Sequence, residues 1–532
     1  NQYRHYFILA LLFLISEIIV DPRGEFPLND DWAYTKSVLF LHEGKVDIGE
    51  WPAMTLISHL LWGFLFTKTL GFSFFALRLS VIISSLAGIL VFFALLRKWS
   101  NSVAVAFSGA MVLLFSPLYF NLSNTFMTDV SFNTLLIFSV YAATRFFESR
   151  HLIWFVLVIV LSLILVLMRQ FGILVPACFV IGLFFLKEKK WHYLLTCAAG
   201  IVVVYAALKG YESYLKAILP ATASYKFSGG VSVLSEQFRD RLLSNIIQRH
   251  AKIFLHLGVY IFPFVVLFLP DLIRQSKKIL LAGSVLSSLV ICACLFYDEP
   301  AQMGNVFEDM SLGAETWYET LNHTFVDHTH TWSPVFAGVM NVVKILFSAG
   351  TLLFLLLALI RKGKPGLNSR GVFGLALFFA YLFMILITES YFDRYHIPLI
   401  ALGILLLSCL CADLRPSIAA GALPILFFIW ISVFGTKDYF TINRVRWQAY
   451  HHLHRTLGVP TQQINAGFEV NCWNEGLPTW WQNFLTLDHF NYLIQYQNEP
   501  EFKKMKHYPF QRYFPFKKDT VTIFERETKI AP

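Results

Sequence analysis

The chain has 532 residues, of which 56% are hydrophobic, 17% aromatic and only 14% charged. Soluble globular chains carry about 25% charged residues, so this composition, with a mean hydropathy of +0.57, excludes an ordinary water-soluble enzyme. The net charge of +9 comes as short basic clusters between apolar runs and not as one continuous patch, which argues for membrane topology and against a nucleic-acid partner.

A membrane-spanning helix needs about 20 mostly apolar residues. In chain order the sequence predicts about thirteen such segments: 5–20, 74–96, 102–120, 130–147, 152–168, 171–186, 193–208, 253–269, 279–297, 335–360, 371–388, 397–413 and 417–435. The first opens near Arg4 and lacks a small-residue cleavage site, so it reads as a retained span. A shorter apolar stretch around 56–66 is either a fourteenth span or a helix lying in the interface. If the N-terminus is inside, every even-numbered connection is basic: Arg97-Lys98, Arg145 with Arg150, Lys187 to Lys190, Arg274 with Lys277-Lys278, Arg361-Lys362 with Lys364, and Arg415. The opposite connections include the long ones, 21–73, 209–252 and 298–334. That asymmetry predicts N-inside, C-outside. The expected fold is therefore an all-α polytopic membrane module over 1–435, followed by a small extracytoplasmic α/β domain over 436–532. In that domain 442–457 is helix-like and basic, and 520–526 alternates as a strand.

Six of the seven cysteines fall inside apolar runs. They imply packing residues, not a disulfide framework or a zinc site. Neither a GxxxxGK[ST] phosphate loop nor a GxGxxG after a strand occurs, so nucleotide-driven pumping and dinucleotide redox chemistry have no support.

Ionisable groups beside membrane spans are costly and mark function. On the outer side they gather at four places: Asn29 to Lys36 after the first span, Thr125 to Asp129 before the fourth, Met168-Arg169-Gln170 between the fifth and sixth, and Glu389 to His396 before the twelfth. The adjacent carboxylates Asp30 and Asp31 repel, so one is suited to proton abstraction; alternatively one of them caps the helix that Trp32 begins. Asp129, alone at a helix start, reads first as an N-cap and otherwise as a site carboxylate. Arg169 and Arg394 abut apolar spans, where they either meet a phosphate at headgroup level or snorkel and pair with Asp393 or Glu389. Trp32, Tyr34 and Trp51 are candidate sugar-stacking rings, or belt aromatics.

The segments LNDDWAYTKSVLFLHEGKV, GFSFFALRLSVIISSLAGILVFFALLRKW, FMTDVSFNTLLIFSVYAATRFFE and DRYHIPL together resemble the GT-C glycosyltransferases. The narrower resemblance is to the branch holding protein O-mannosyltransferases and the lipid A aminoarabinose transferase. It covers roughly 20–150, with a weaker match at 389–400. It implies a multi-spanning enzyme that moves a sugar from a polyprenyl-phosphate carrier to a hydroxyl acceptor (lipid, glycan or protein) on the outer face of the membrane. By the match, Asp30, Asp31 and Asp129 are the catalytic carboxylates and Arg394 lies near the donor phosphate; Arg169 and Lys36 join it from position alone. Trp32, Tyr34 and Tyr395 would line the substrate. The pair is Asp-Asp where Asp-Glu is common. The family's Lys-Pro-Pro stretch is absent, replaced by Glu50-Trp51-Pro52-Ala53-Met54-Thr55, so sugar and acceptor do not carry over.

Asp327-His328-Thr329-His330 and His451-His452-Leu453-His454 are weak candidates for a divalent metal, or else a solvated loop and a polar helix face. Asn121-Leu122-Ser123 and Asn322-His323-Thr324 are glycosylation sequons that matter only in a secretory eukaryotic pathway. The rival readings are a flippase or transporter of lipid-linked saccharides, and a polymerase or ligase using a lipid pyrophosphate donor. A bacterial inner membrane with an outward-facing site is the expected location.

Overall fold

The computed structural model describes residues 3–49, 51–186, 191–223, 226–227, 242–275, 334–362, 368–388, 392–475, 490–496, 498, 500–514 and 516–527. The first helices are α1 (Tyr3–Val20), α2 (Asp31–His42), α3 (Ile57–Leu70), α4 (Phe74–Ser100), α5 (Val103–Leu114), α6 (Pro117–Ser123), α7 (Thr128–Ser149), α8 (Leu152–Val166), α9 (Leu174–Phe184) and α10 (Trp191–Ile218). Further along come Leu242–Val265, Leu269–Gln275, Pro334–Lys362, Ser369–Ile387, His396–Leu410, Ile418–Trp430, Thr436–His451 and Phe468–Glu475.

Twelve of the thirteen expected spans fall on described residues, and all twelve are helical. Eight of these helices are long and apolar enough to cross a membrane. A ninth is a bent pair, α5 and α6 meeting at 62°, because Pro117 opens α6 and a proline cannot continue the helix before it. Three are shorter: α8, the Gln170–Phe184 stretch ending in α9, and Ile253–Val265. The segment 279–297, the loop 298–334 and Asp327 to His330 lie outside the described residues. The expected loops 21–73 and 209–252 are not bare connections, since α2 and α3 lie in the first while α10 and Leu242–Val265 run into the second.

Helix α3 answers the question left at 56–66. Its 14 residues make about 21 Å at 1.5 Å per residue, short of a ~30 Å hydrocarbon core. One face buries His59, Leu60, Gly63 and Thr67, while Leu61 and Leu65 are exposed. Trp62 ties it to α4 by donating its indole N–H to Ser80 O and Ser84 Oγ, both at 3.0 Å. It is a packed, non-spanning helix.

The boundary expected at 435 falls inside a continuous helical run, Ile418–Thr456. A wide turn at Ile431–Gly435 passes directly into Thr436–His451, and what changes there is polarity, with Lys437, Asp438, Asn443 and Arg444 following the apolar stretch. On this stalk sits a four-stranded sheet of β1 (Ile464–Asn465), β2 (Tyr492–Gln495), β3 (Phe502–Tyr513) and β4 (Phe516–Arg526), in the order β1-β2-β4-β3. Only β1 and β2 pair in parallel. The expected strand at 520–526 is the second half of β4. The stalk is riveted to Phe468–Glu475 by a buried ion pair, Arg446 to Glu469 at 2.7 Å, and Tyr439 donates to the same carboxylate at 3.2 Å.

Candidate active site

Four chain segments deliver the ionisable residues to one place: Asp30 and Asp31 at the start of α2, Asp129 in α7, Arg169 after α8 and Arg394 before His396–Leu410. Arg78 on α4 draws in the approach to α2: its guanidinium donates to Pro22 O at 3.1 Å, Gly24 O at 2.8 Å and Phe26 O, and lies over the Phe26 and Phe440 rings. Asn29 then turns the chain with a left-handed φ of 57°, which Asn tolerates. Its Oδ1 accepts the Asp30 N–H at 2.8 Å.

Asp30 occupies the cap position of α2, yet its side chain makes no cap hydrogen bond. The carboxylate turns away to Arg394 Nη2 at 3.1 Å, and accepts the Trp51 indole N–H at 2.9 Å. Asp31 behaves differently. It is completely buried, and its two oxygens accept the backbone N–H groups of Leu28 at 2.6 Å and Phe126 at 3.3 Å. Burial pushes its carboxyl up to about 7, against the opposing pull of Arg78 and those two donors. Asp31 thus fastens α2 to the turn before α7, and Asp30 is the member of the pair that makes an ion pair with Arg394.

Asp129 is not the helix cap, since Met127 holds that position. It lies in the first turn of α7, where a carboxylate is favoured by the helix dipole, and pairs with Arg169 Nη2 at 2.8 Å; Arg169 Nε donates to Thr128 Oγ1, also at 2.8 Å. Arg169 stands at the break between α8 and the short turn Gln170–Ile173. Gly172 makes that break feasible, because a Cβ there would come within 2.4 Å of Val166 N.

The two ion pairs form one cluster. Tyr34 and Tyr395 each lie within electrostatic reach of Asp30, Arg394, Arg169 and Asp129. Tyr34 is buried and donates to Met54 Sδ at 3.3 Å; burial first, then the Asp30 charge, raises its phenol well above the usual value. Arg394 is buried over the Phe392 ring at 4.2 Å. Its Nε and Nη1 have no hydrogen-bond acceptor among the described residues. A buried guanidinium with two free donors is costly unless an anion meets it.

Lys36 does not join this cation group in the way its position suggested. Its ammonium donates to Cys472 O at 2.8 Å and lies over the rings of Trp32 and Trp473. The reason is helical spacing: Lys36 follows Trp32 by four residues and shares its face, and α2 packs on that side against Phe468–Glu475. Trp32 and Trp51 form a tilted pair 6.1 Å apart, next to Asp30.

The sequence missed His59 and Tyr381. His59 stacks on Phe126 at 4.3 Å and meets Tyr34 edge-on at 6.4 Å; burial lowers its imidazole to about 4, so it stays neutral near pH 7. Tyr381 is within reach of Arg169, Asp129 and Tyr395. A lone polar side chain within an apolar run was the available signal for both, as was the buried Arg78 in α4. Among the described residues no group of three His, Cys, Asp or Glu converges to hold a metal. His454 Nδ1 sits 2.9 Å from Val459 O, and His452 lies beside Lys506. Asn121 is buried 3.4 Å from Thr436 Oγ1, so its sequon is inaccessible in the fold.

Residues 56–208 match the family model of the dolichyl-phosphate-mannose-protein mannosyltransferases. The resemblance to the GT-C glycosyltransferases, read over roughly 20–150, is borne out by this match, which holds α3 to α9 and the first part of α10 with Asp129 and Arg169, and does not reach Asp30, Asp31 or Arg394. No curated protein matches the chain. Among solved structures it aligns with ArnT from Cupriavidus metallidurans bound to undecaprenyl phosphate, at 12% identity and a TM-score of 0.42, over 98% of this chain and 99% of that one.

Proposed function

We propose that this chain is an integral membrane glycosyltransferase that moves a sugar, hexosyl or pentosyl, from a polyprenyl-phosphate carrier to a hydroxyl acceptor on a lipid, glycan or protein. The observation that carries this reading is the buried Asp30–Arg394 pair, with two further Arg394 donors unmatched among the described residues. The match of 56–208 to mannosyltransferases that use dolichyl phosphate mannose supports the same class of donor.

In this reading Arg394, with Arg169 behind it, takes the phosphate of the donor. The incoming anion competes with Asp30 for the guanidinium and frees the carboxylate. Asp30 then accepts the proton of the acceptor hydroxyl. The acceptor oxygen bonds to the anomeric carbon, the bond from that carbon to the phosphate oxygen breaks, and its electron pair leaves on the phosphate, where the arginines stabilise the charge. One displacement inverts the anomeric centre, and no covalent enzyme intermediate forms. Asp129 keeps Arg169 in place, while Trp32 and Trp51 offer ring faces beside Asp30. A divalent ion is an assay variable, added or chelated.

The basic connections favour a site on the outer face, and a bacterial inner membrane is the proposed location. The test is transfer of labelled sugar from a short-chain polyprenyl-phosphate donor to a membrane extract by the reconstituted protein, followed by assignment of the product's anomeric configuration. Transfer with inversion supports the proposal. Absence of transfer from any such donor, together with lipid movement across the vesicle, would replace it with the flippase reading.

A further inference from the structure

The tip of the β3–β4 hairpin carries residues that a water-facing turn does not need. Phe516 is 71% exposed, and Lys517 and Lys518 follow it on the surface. The tip is not a loose end. Asp438 on the stalk accepts the backbone N–H of Tyr513 at 2.8 Å and of Phe514 at 2.6 Å, which locks the hairpin to the helix. Phe514 meets Trp430 edge-on at 4.7 Å, Phe516 stacks on the same indole at 6.4 Å, and Tyr513 lies 5.9 Å from Phe434. Lys437 sits over the Tyr513 ring at 4.9 Å.

Those partners belong to the apolar helix that starts at Ile418. Ile418, Leu423 and Leu426 are all strongly exposed on it, as lipid-facing residues are. From Ile418 to Gly435 the helix rises about 27 Å at 1.5 Å per residue, close to the ~30 Å of a hydrocarbon core. On the same rise Phe434 lies about 24 Å and Trp430 about 18 Å from Ile418, so Phe434 is next to the far boundary of the bilayer and Trp430 stands in the outer half of the acyl region, about one turn below it. A hairpin locked to them stands at the same depth.

We propose that the β3–β4 tip is a membrane-docking element: Phe516, backed by Trp430 and Phe514, enters the headgroup boundary, and Lys437, Lys517 and Lys518 meet the phosphates of anionic phospholipids. The occupant is the lipid surface because the patch continues the lipid-facing side of a spanning helix and ends in cations. Aromatic residues at the boundary with lysines around them are the pattern of interfacial anchoring. The effect is to fix the tilt of the C-terminal sheet above the membrane.

The test uses the full chain in phosphatidylcholine vesicles with and without phosphatidylglycerol. A Phe516→Cys variant carries an environment-sensitive fluorophore; a Met505→Cys variant, at the other end of β3, is the control, and the unsubstituted chain is the blank. Expected are blue-shifted emission at 516 with strong quenching by a spin label high on the acyl chain, and water-like emission at 505. Phosphatidylglycerol should strengthen the quenching, a gain lost in Lys517→Gln/Lys518→Gln. Water-like, unquenched emission at 516 overturns the proposal. So does blue-shifted emission that ignores the lipid quencher, which means contact with protein. Equal quenching with and without phosphatidylglycerol removes the lysines from the docking. None of these outcomes depends on sugar transfer, so the two proposals fail separately.

Discussion

Replacing Asp30 by Asn separates base chemistry from anion binding. The substitution keeps the side-chain volume, and the remaining carbonyl can still accept the Trp51 N–H seen at 2.9 Å. What goes is the proton acceptor and the negative partner of Arg394 at 3.1 Å. A general base is worth about 10²–10⁴ in rate, so kcat should fall by that factor, about 3–5 kcal/mol of barrier at 1.36 kcal/mol per decade. The ion pair has a Coulomb scale of about 5 kcal/mol at an effective dielectric of 20, and leaving one member of a buried pair unmatched costs about 3–5 kcal/mol. The variant should therefore be less stable when empty, and a polyprenyl phosphate should bind it at least as tightly as wild type because the phosphate now neutralises Arg394. The assays are single-turnover transfer per folded molecule, donor-lipid binding, and unfolding with and without the lipid. Retention of kcat within about tenfold, or loss of donor binding along with rate, would refute the assignment. Asp31→Asn is the comparison: because that carboxylate holds the Leu28 and Phe126 amides and lies within the field of Arg78, away from Arg394, it should act on folded yield and leave kcat per folded molecule within about tenfold.

The Asp129–Arg169 pair, both members buried, should behave as a unit: Asp129→Asn or Arg169→Met alone costs about 3–5 kcal/mol of stability, and the double variant regains much of it in a double-mutant cycle read by denaturant unfolding. Additive losses would deny the coupling. Gly172→Ala drives a methyl into the backbone of α8 at 2.4 Å and should displace Arg169, weakening donor-lipid binding by about tenfold or more in a titration where Gly182→Ala serves as the packing control. Lys226 is buried, donates to Pro52 O and to Met54 O at 3.0 Å, and is lowered to about 7 by burial. The folded form then holds fewer protons than the unfolded form between pH 7 and the ordinary lysine value. Stability should rise with pH across that window, by no more than about 1.36 kcal/mol per unit, and stay flat below it. Lys226→Met should lack this slope, so the wild-type-minus-variant difference in unfolding free energy, measured from pH 6 to 9, should be flat up to about pH 7 and rise above it.

The membrane architecture was written in the sequence because a bilayer allows few answers: an apolar run of span length must form a helix to satisfy its backbone. All twelve described segments are helical for that reason, including α8 and α9, whose break at Arg169 was visible as Met168-Arg169-Gln170. The gathering of ionisable groups at the mouths of spans marked Asp30 and Asp129, and the resemblance of LNDDWAYTK and FMTDVSF to a known family supplied their expected role. Composition also fixed which residues were unusual in a bilayer, but not whom they meet. Asp30 and Asp31 are equivalent as letters; only the αL turn at Asn29 and the helix that follows aim one at Arg394, 364 residues away, and the other at the Leu28 and Phe126 amides. Lys36 looked like a phosphate ligand until the face it shares with Trp32 was seen to lie against Phe468–Glu475. Tertiary structure decided such matters because the partners come from distant segments, and their choice depends on helix rotation and packing, which local sequence pattern does not encode.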